Sequence, residues 1–277
     1  MDKTTSHSEK QAGPFLKWPG GKRWFVTNHR ELLPRTFNRY IEPFLGAGAV
    51  FFYLRPQSAT LGDTNAELIT TYQAVRDDWK GITRLLSHHQ ARHCKAYYYK
   101  VRGSSPTNPL ELAARAIYLN RTCFNGIYRV NKQGQFNVPI GTKDRVLLDT
   151  DAFDAVSELL ADTELLASDF QPLIDEAEEG DLIFADPPYT VSHNLNGFIK
   201  YNERLFSWQD QERLARSLAE ARDRGALVVA TNANHPSLRA LYAKYDFEIE
   251  TVSRFSSISA KPKMRKQYEE LVVLATQ

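Results

Sequence analysis

Residues 182–185 read Leu-Ile-Phe-Ala, an unbroken apolar run, and the next four read Asp186-Pro187-Pro188-Tyr189. No other feature constrains the fold of this chain as much. A short apolar run bounded by turn residues reads as a strand buried on both faces, the kind found in a sheet covered by helices. Such a strand delivers a carboxylate, two stiff prolines and an aromatic ring to one point. Proline has no N–H, so the Pro187 carbonyl stands with no competing donor beside it. Together with Asp186 it supplies two acceptors for a single NH2 group. Tyr189 can stack on a flat ring. The corner suits an exocyclic amine on a planar base; read alone, it is equally a strand followed by a proline turn.

Upstream, Tyr40-Ile41-Glu42-Pro43-Phe44-Leu45-Gly46-Ala47-Gly48 reads as a short strand running into a glycine turn, with a helix from about Ala49. A second strand, Ala59-Thr60-Leu61-Gly62, ends at Asp63, placed to accept from vicinal ribose hydroxyls. Phe51 stands where the dinucleotide fingerprint needs its third glycine, which argues against a pyrophosphate ligand. The pattern otherwise leaves a nicotinamide cofactor and S-adenosylmethionine both open. Pro14-Phe15-Leu16-Lys17-Trp18-Pro19-Gly20-Gly21-Lys22 is not a phosphate-binding loop, because Leu16 and Arg23 occupy its required positions. Its Gly-Gly pair can shape a loop over a ligand; read alone, the segment is more simply an ordinary N-terminal loop with a core tryptophan.

With these segments in order, the chain resembles the Dam-type, alpha-ordered D12 class of DNA adenine-N6 methyltransferases. The matching stretches are residues 15–22, 42–48, Asp63-Thr64-Asn65, Leu119-Asn120-Arg121, Phe124-Asn125-Gly126, Gln135-Phe136-Asn137-Val138-Pro139 with Gly141, and Asp186-Pro187-Pro188-Tyr189. They span residues 15–274. The resemblance implies an α/β fold: a Rossmann-like S-adenosylmethionine-dependent methyltransferase domain with an inserted helical and β-hairpin target-recognition domain. The expected division is a disordered N-terminus at 1–13, a catalytic domain at 14–69 and 146–277, and a recognition domain at 70–145.

Charge and pattern agree with an insertion. The net charge is only +2, but Arg92 to Arg145 holds ten basic residues against Glu111 and Asp144. Residues 146–186 hold thirteen acids and no Lys or Arg, and positive charge returns at Arg254, Lys261, Lys263, Arg265 and Lys266. Two basic blocks with aromatics interleaved in the first (Tyr97, Tyr98, Tyr99, Tyr118, Phe124, Tyr128) read as two sides of a nucleic-acid cleft rather than a plain solvated face. Asn108-Pro109-Leu110-Glu111 is a helix start, and residues 128–138 read as a hairpin turning at Lys132-Gln133-Gly134. Later come a helix over 207–224 with Ser207 and Asp210 as a capping box, and strands near 226–230, 247–252 and 271–275. At 277 residues and 42% hydrophobic content the chain can bury a sizeable core. No apolar run reaches membrane length, and no secretory signal precedes the first motif. Cys94 and Cys123 form no metal pattern, which points to a reduced, cytoplasmic setting.

The resemblance further implies specific roles. S-adenosylmethionine, leaving as S-adenosylhomocysteine, would be held by Trp18, Lys22, Phe44, Gly46, Gly48, Asp63, Phe170 and Asp186, with no metal. Double-stranded DNA is the implied partner, met by a monomer in action. The target adenine would be flipped out, with Phe124 filling the stack and Asn125 facing the orphaned base. Asp186, Pro187, Pro188 and Tyr189 would hold it for in-line transfer. Lys17 and Arg129 match guanine readers, and Ile127 and Pro139 match apolar positions near the outer base, which implies GATC or a relaxed relative. Lys143 stands where the family often carries an aromatic residue. Residues 190–203 read as a loop closing over the adenine, with Phe198 and Tyr201 as second-face stackers. Competing readings are a cytosine-N4 methyltransferase, which usually has Ser in place of Asp186, and an RNA or protein amide methyltransferase, which usually has Asn there. A catalytically silent DNA-binding regulator is a third; it should have lost Asp186 or its glycines.

Overall fold

The computed structural model describes residues 11–126, 128–131, 133–189, 206–255 and 267–276. The chain divides into two compact units. One comprises Met1–Gly21, Gly46–Arg55 and Asn65–Leu165; the other Lys22–Leu45, Pro56–Thr64 and Leu166–Gln277.

Among the described residues seven strands form one sheet: β1 Tyr40–Glu42, β2 Ala59–Asp63, β3 Thr163–Ala167, β4 Leu182–Ala185, β5 Leu227–Ala233, β6 Glu248–Phe255 and β7 Gln267–Ala275, in the order β3-β2-β1-β4-β5-β7-β6. β1 runs parallel to both β2 and β4, and β4 parallel to β5. β7 is antiparallel to both β5 and β6. All four β4 residues are fully buried. This is why the strand carries no polar alternation: side chains on both of its faces leave water, each stabilising the fold by roughly 1.5–3 kcal/mol for the larger ones. The described part of β6, at the sheet edge, keeps exposed Glu248, Thr251 and Ser253.

In the second unit the Trp208–Asp223 helix packs against the Phe170–Asp175 helix and buries Leu214, Ala215, Leu218 and Ala221 on the sheet. Its start is the predicted capping box: Ser207 Oγ accepts from the Asp210 amide while the Asp210 carboxylate accepts from Ser207 N. In the first unit the Ala66–Arg92 helix begins at Asn65, whose side chain accepts from Leu68 N. It breaks at Asp78 (φ −147°), whose carboxylate caps Gly81 N at 2.8 Å. The Pro109–Thr122 helix packs along it and starts, as expected, with Asn108 Oδ1 accepting from the Leu110 and Glu111 amides.

The interleaved tyrosines have a different use from the one expected. Tyr98 and Tyr118 are fully buried, with the Tyr98 hydroxyl donating to the Val138 carbonyl and His89 stacked on Tyr118 at 4.6 Å. They belong to the core of the first unit. Among those aromatics Tyr99 and Phe124 are the exposed ones. Two of the ten basic residues are also internal: Arg115 pairs with Glu67, and Arg121 with Asp151 at 2.7 Å. Of the predicted hairpin, the described residues show the antiparallel bridge Val130↔Phe136, backbone bonds from Asn131 N to the Gln135 carbonyl and from Asn137 N to the Arg129 carbonyl, and a turn in which Asn131 Oδ1 accepts from the Gln133 and Gln135 amides.

Candidate active site

The strand order reverses between β1 and β4, since β1 continues to β2 on one side and β4 to β5 on the other. In open α/β sheets such a switch point leaves a crevice at the carboxyl ends of the strands. Phe44 follows the end of β1 and Asp186 follows the end of β4, both in the second unit.

Asp186 is fixed through one oxygen. Its Oδ1 lies 2.9 Å from Lys22 Nζ and accepts from Thr231 Oγ1 at 2.8 Å. Among the described residues Oδ2 has no partner. Lys22 Nζ also donates to the Tyr189 hydroxyl at 3.0 Å and lies 3.3 Å from Glu270 Oε2. The Tyr189 hydroxyl donates in turn to Glu270 Oε2 at 2.6 Å. Lys22 and Glu270 are buried, while the Asp186 side chain keeps 18% exposure. The group holds two carboxylates and one ammonium. Burial pushes the Asp186 carboxyl above its ordinary value; Lys22 opposes this and the nearby Glu270 charge adds to it.

Asp63 ends β2, half-buried, with its carbonyl accepting from Ser168 N. Phe44 stacks on Phe170 at 5.4 Å and 29°. Phe170 is 2% exposed, and the Arg213 guanidinium lies 4.2 Å over its ring, paired with Asp169 at 2.7 Å. Of these two rings Phe44 is the less buried.

The remaining predicted residues lie in the first unit. Trp18 stacks on Tyr128 at 4.9 Å and 23°, and the Tyr128 hydroxyl donates to Glu67. Gly46 has φ +47°, and a Cβ there would come within 2.8 Å of the Trp18 ring, so the turn and the indole fit only with glycine. Gly48 caps the Ala49–Leu54 helix in the left-handed conformation.

The motif residues Asn120 and Arg121 hold the chain before Trp18. Lys17 N donates to Asn120 Oδ1 at 2.9 Å, and Asn120 Nδ2 donates to the Lys17 carbonyl at 2.8 Å. Arg121 donates to the Phe15 carbonyl. Gly126 has φ +65°, and a Cβ there would meet Lys17 Cδ at 2.5 Å. Burial, then the neighbouring Lys143 amine, push the Lys17 amine below its ordinary value.

Phe124 presents a half-exposed ring (53%), while its amide is pinned to the Pro139 carbonyl at 2.9 Å. Asn125, exposed, takes φ 58°. Arg129 is exposed and donates through Nε to Asn137 Oδ1 at 3.0 Å; Pro139 and Lys143 are exposed too. Ile127, Phe198, Tyr201, the 190–203 stretch and Lys261, Lys263, Arg265 and Lys266 lie outside the described residues.

Sequence reasoning missed Thr231 and Glu270. The available signal was polar residues inside otherwise apolar strands: Thr231-Asn232 extends β5, and Glu270 enters β7 one residue before its apolar run. A buried carboxylate there needs a cation or donors, and Lys22 and Tyr189 supply them.

Asp186-Pro187-Pro188-Tyr189 thus follows β4 at the switch point of a mixed α/β sheet. The family model for D12 class N6 adenine-specific DNA methyltransferase matches residues 18–258, and the chain belongs to that family. It is 35% identical over 269 residues to the type II methyltransferase M1.LlaDCHI of Lactococcus lactis subsp. cremoris, covering 94% of each chain. It is 33% identical to the type II methyltransferase M.MjaIII of Methanocaldococcus jannaschii, covering 94% of this chain and 98% of that one. To the DNA adenine methylase of Haemophilus influenzae it is 30% identical, over 94% of this chain and 93% of that one. Its substrate is accordingly DNA, methylated on adenine. No helix among the described residues is long and apolar enough to cross a membrane.

Proposed function

We propose that the protein methylates N6 of an adenine turned out of duplex DNA, using S-adenosylmethionine, within GATC or a relaxed relative of it. The observation that carries this reading is Asp186, held through Oδ1 by Lys22 and Thr231 with Oδ2 left to accept from an amine.

The donor set fits the cofactor. S-adenosylmethionine carries positive charge on sulfur and on its amino group, one carboxylate, and a ribose with no pyrophosphate, so its net charge is positive. Among the described residues the second unit's site brings the carboxylates of Asp63, Asp186 and Glu270 to the strand ends, with Lys22 engaged between two of them and Arg213 paired with Asp169. That set favours a cationic ligand. When bound, the cofactor supplies a methyl group already activated on a sulfonium. Asp63 accepts from the ribose hydroxyls, and Phe44, backed by Phe170, lies against the adenine ring.

Asp186 Oδ2 and the Pro187 carbonyl accept the two N–H groups of the target amine and turn its lone pair toward the methyl carbon. Pro188 stiffens the corner, and Tyr189, anchored by its hydroxyl, offers a ring to stack on. As the N–C bond forms, the released proton has Asp186 as its nearest base. Its raised pKa suits that role.

Turning the base out costs a few kcal/mol. Phe124, an exposed ring on a pinned backbone, fills the vacated stack, and Asn125 faces the partner base. Lys17 and Arg129 read guanines, Pro139 lies at the outer pair, and Lys143 adds charge beside Lys17. A duplex carrying 2-aminopurine at the target position tests the flip: fluorescence should rise on binding and fall short of that rise with Phe124→Ala. Product formation with no rise at all would refute it.

A further inference from the structure

We propose that Glu270 is a positioning residue for methyl transfer: from inside β7 it shares Lys22 with Asp186 and holds the Tyr189 hydroxyl, so that ring, ammonium and accepting carboxylate are set as one unit. The inference rests on the reading of Asp186 as the carboxylate that accepts the adenine amine.

The geometry is a closed circuit. Lys22 Nζ reaches Asp186 Oδ1, the Tyr189 hydroxyl and Glu270 Oε2, and the Tyr189 hydroxyl reaches the same Oε2. Among the described residues these are the charged and titratable groups that face Asp186, with the Thr231 hydroxyl from β5. If Lys22 paired with Asp186 alone, its full charge would be directed at that carboxylate and would weaken it as an acceptor. Glu270 draws part of that field away. It also gives Tyr189 an acceptor that fixes the ring on which the base would stack. Glu270 is 2% exposed and is paired through the backbone to Ala233 and Val252, so it cannot follow a mobile partner. The circuit is built from β4, β5, β7 and Lys22, with Glu270 at its most rigid corner.

Glu270→Gln keeps the shape and removes the charge. The Glu270 charge that raises the Asp186 carboxyl is then gone while Lys22 still lowers it, and the Asp186 carboxyl should ionise at lower pH than in the wild type. Carbon-13 NMR of the ligand-free protein reads this directly, with the Asp186 signal assigned by its loss in Asp186→Asn. In turnover, Glu270→Gln should lower kcat about tenfold at pH 8 with KM for DNA unchanged, since a slight misplacement of reacting groups costs that much or more. The acid limb of its kcat profile should move to lower pH. Glu270→Asp keeps the charge and should keep the wild-type acid limb with a reduced kcat.

An unmoved Asp186 titration in Glu270→Gln, or wild-type kcat in that variant, would overturn the proposal. If Glu270→Gln does not fold, wild-type kcat in Glu270→Asp overturns it instead. Failure of the wild-type protein to form N6-methyladenine would sink the Asp186 reading and leave the NMR result to decide the electrostatic coupling alone.

Discussion

Lys22 Nζ lies 2.9 Å from Asp186 Oδ1 and 3.3 Å from Glu270 Oε2, so one buried ammonium is shared by carboxylates that follow β4 and sit within β7. Each acid would be costly to bury alone. The shared cation makes the arrangement tolerable in the fold, and it reaches Asp186 through Oδ1.

Removing that cation should be expensive. Lys22→Met takes the ammonium away from Asp186 and Glu270 together, and breaking a buried pair in this way costs about 3–5 kcal/mol. The 18% exposure of the Asp186 side chain places the loss near the lower end. Thermal unfolding should show a Tm lower by about 5–10 °C. An unchanged Tm would mean that the ion pair contributes nothing to the fold.

Asp186→Asn should separate stability from activity. The wild-type carboxyl is raised in the folded protein, chiefly by burial, so its ionisation opposes folding. That handicap is absent below the ordinary carboxylate value and grows as pH rises through the folded value. The amide carries none of it. Tm of Asp186→Asn relative to wild type should rise between about pH 4 and pH 8, while methyl transfer falls by at least about 100-fold. A relative Tm that falls with rising pH would contradict this.

His89 should make the first unit sensitive to acid. Burial, with His88 and Arg92 nearby, lowers its pKa to about 4, so it folds as the neutral ring stacked on Tyr118. The unfolded chain takes up a proton near pH 6.5 and the folded one does not, so stability is lost as pH falls from about 6.5 toward 4. His89→Gln should flatten the dependence of Tm on pH across that window. A curve parallel to wild type would assign the acid sensitivity elsewhere.

Arg129→Ala tests base reading. Arg129 Nε is held by Asn137, which leaves the Nη groups to pair with guanine O6 and N7. Loss of such a contact should relax preference at one base pair by about 1–3 kcal/mol. Equal weakening on every DNA sequence, measured by competition binding, would make Arg129 a phosphate contact instead.

The parts of the molecule legible in the sequence were those where one local rule dominates. β4 is readable because both of its faces are buried, and the 208–223 helix because its capping box is spelled out in adjacent residues. β3 was hidden because Glu164 interrupts its apolar pattern at an exposed position. The tyrosines of residues 97–118 read as nucleic-acid contacts because sequence spacing does not tell a core ring from a surface ring. Asp186 and Tyr189 announced themselves through their prolines. Glu270 did not, because its meaning depends on Lys22, near the opposite end of the chain.

The most direct test is long-read methylation mapping of DNA from cells that lack other methyltransferases and express this chain, beside an Asp186→Ala control. The account predicts N6-methyladenine in the wild-type sample, concentrated at GATC or a small set of related sites, and none above background in the control. N6-methyladenine at the same level in the Asp186→Ala sample, or its absence from both while the protein is well expressed, would contradict it.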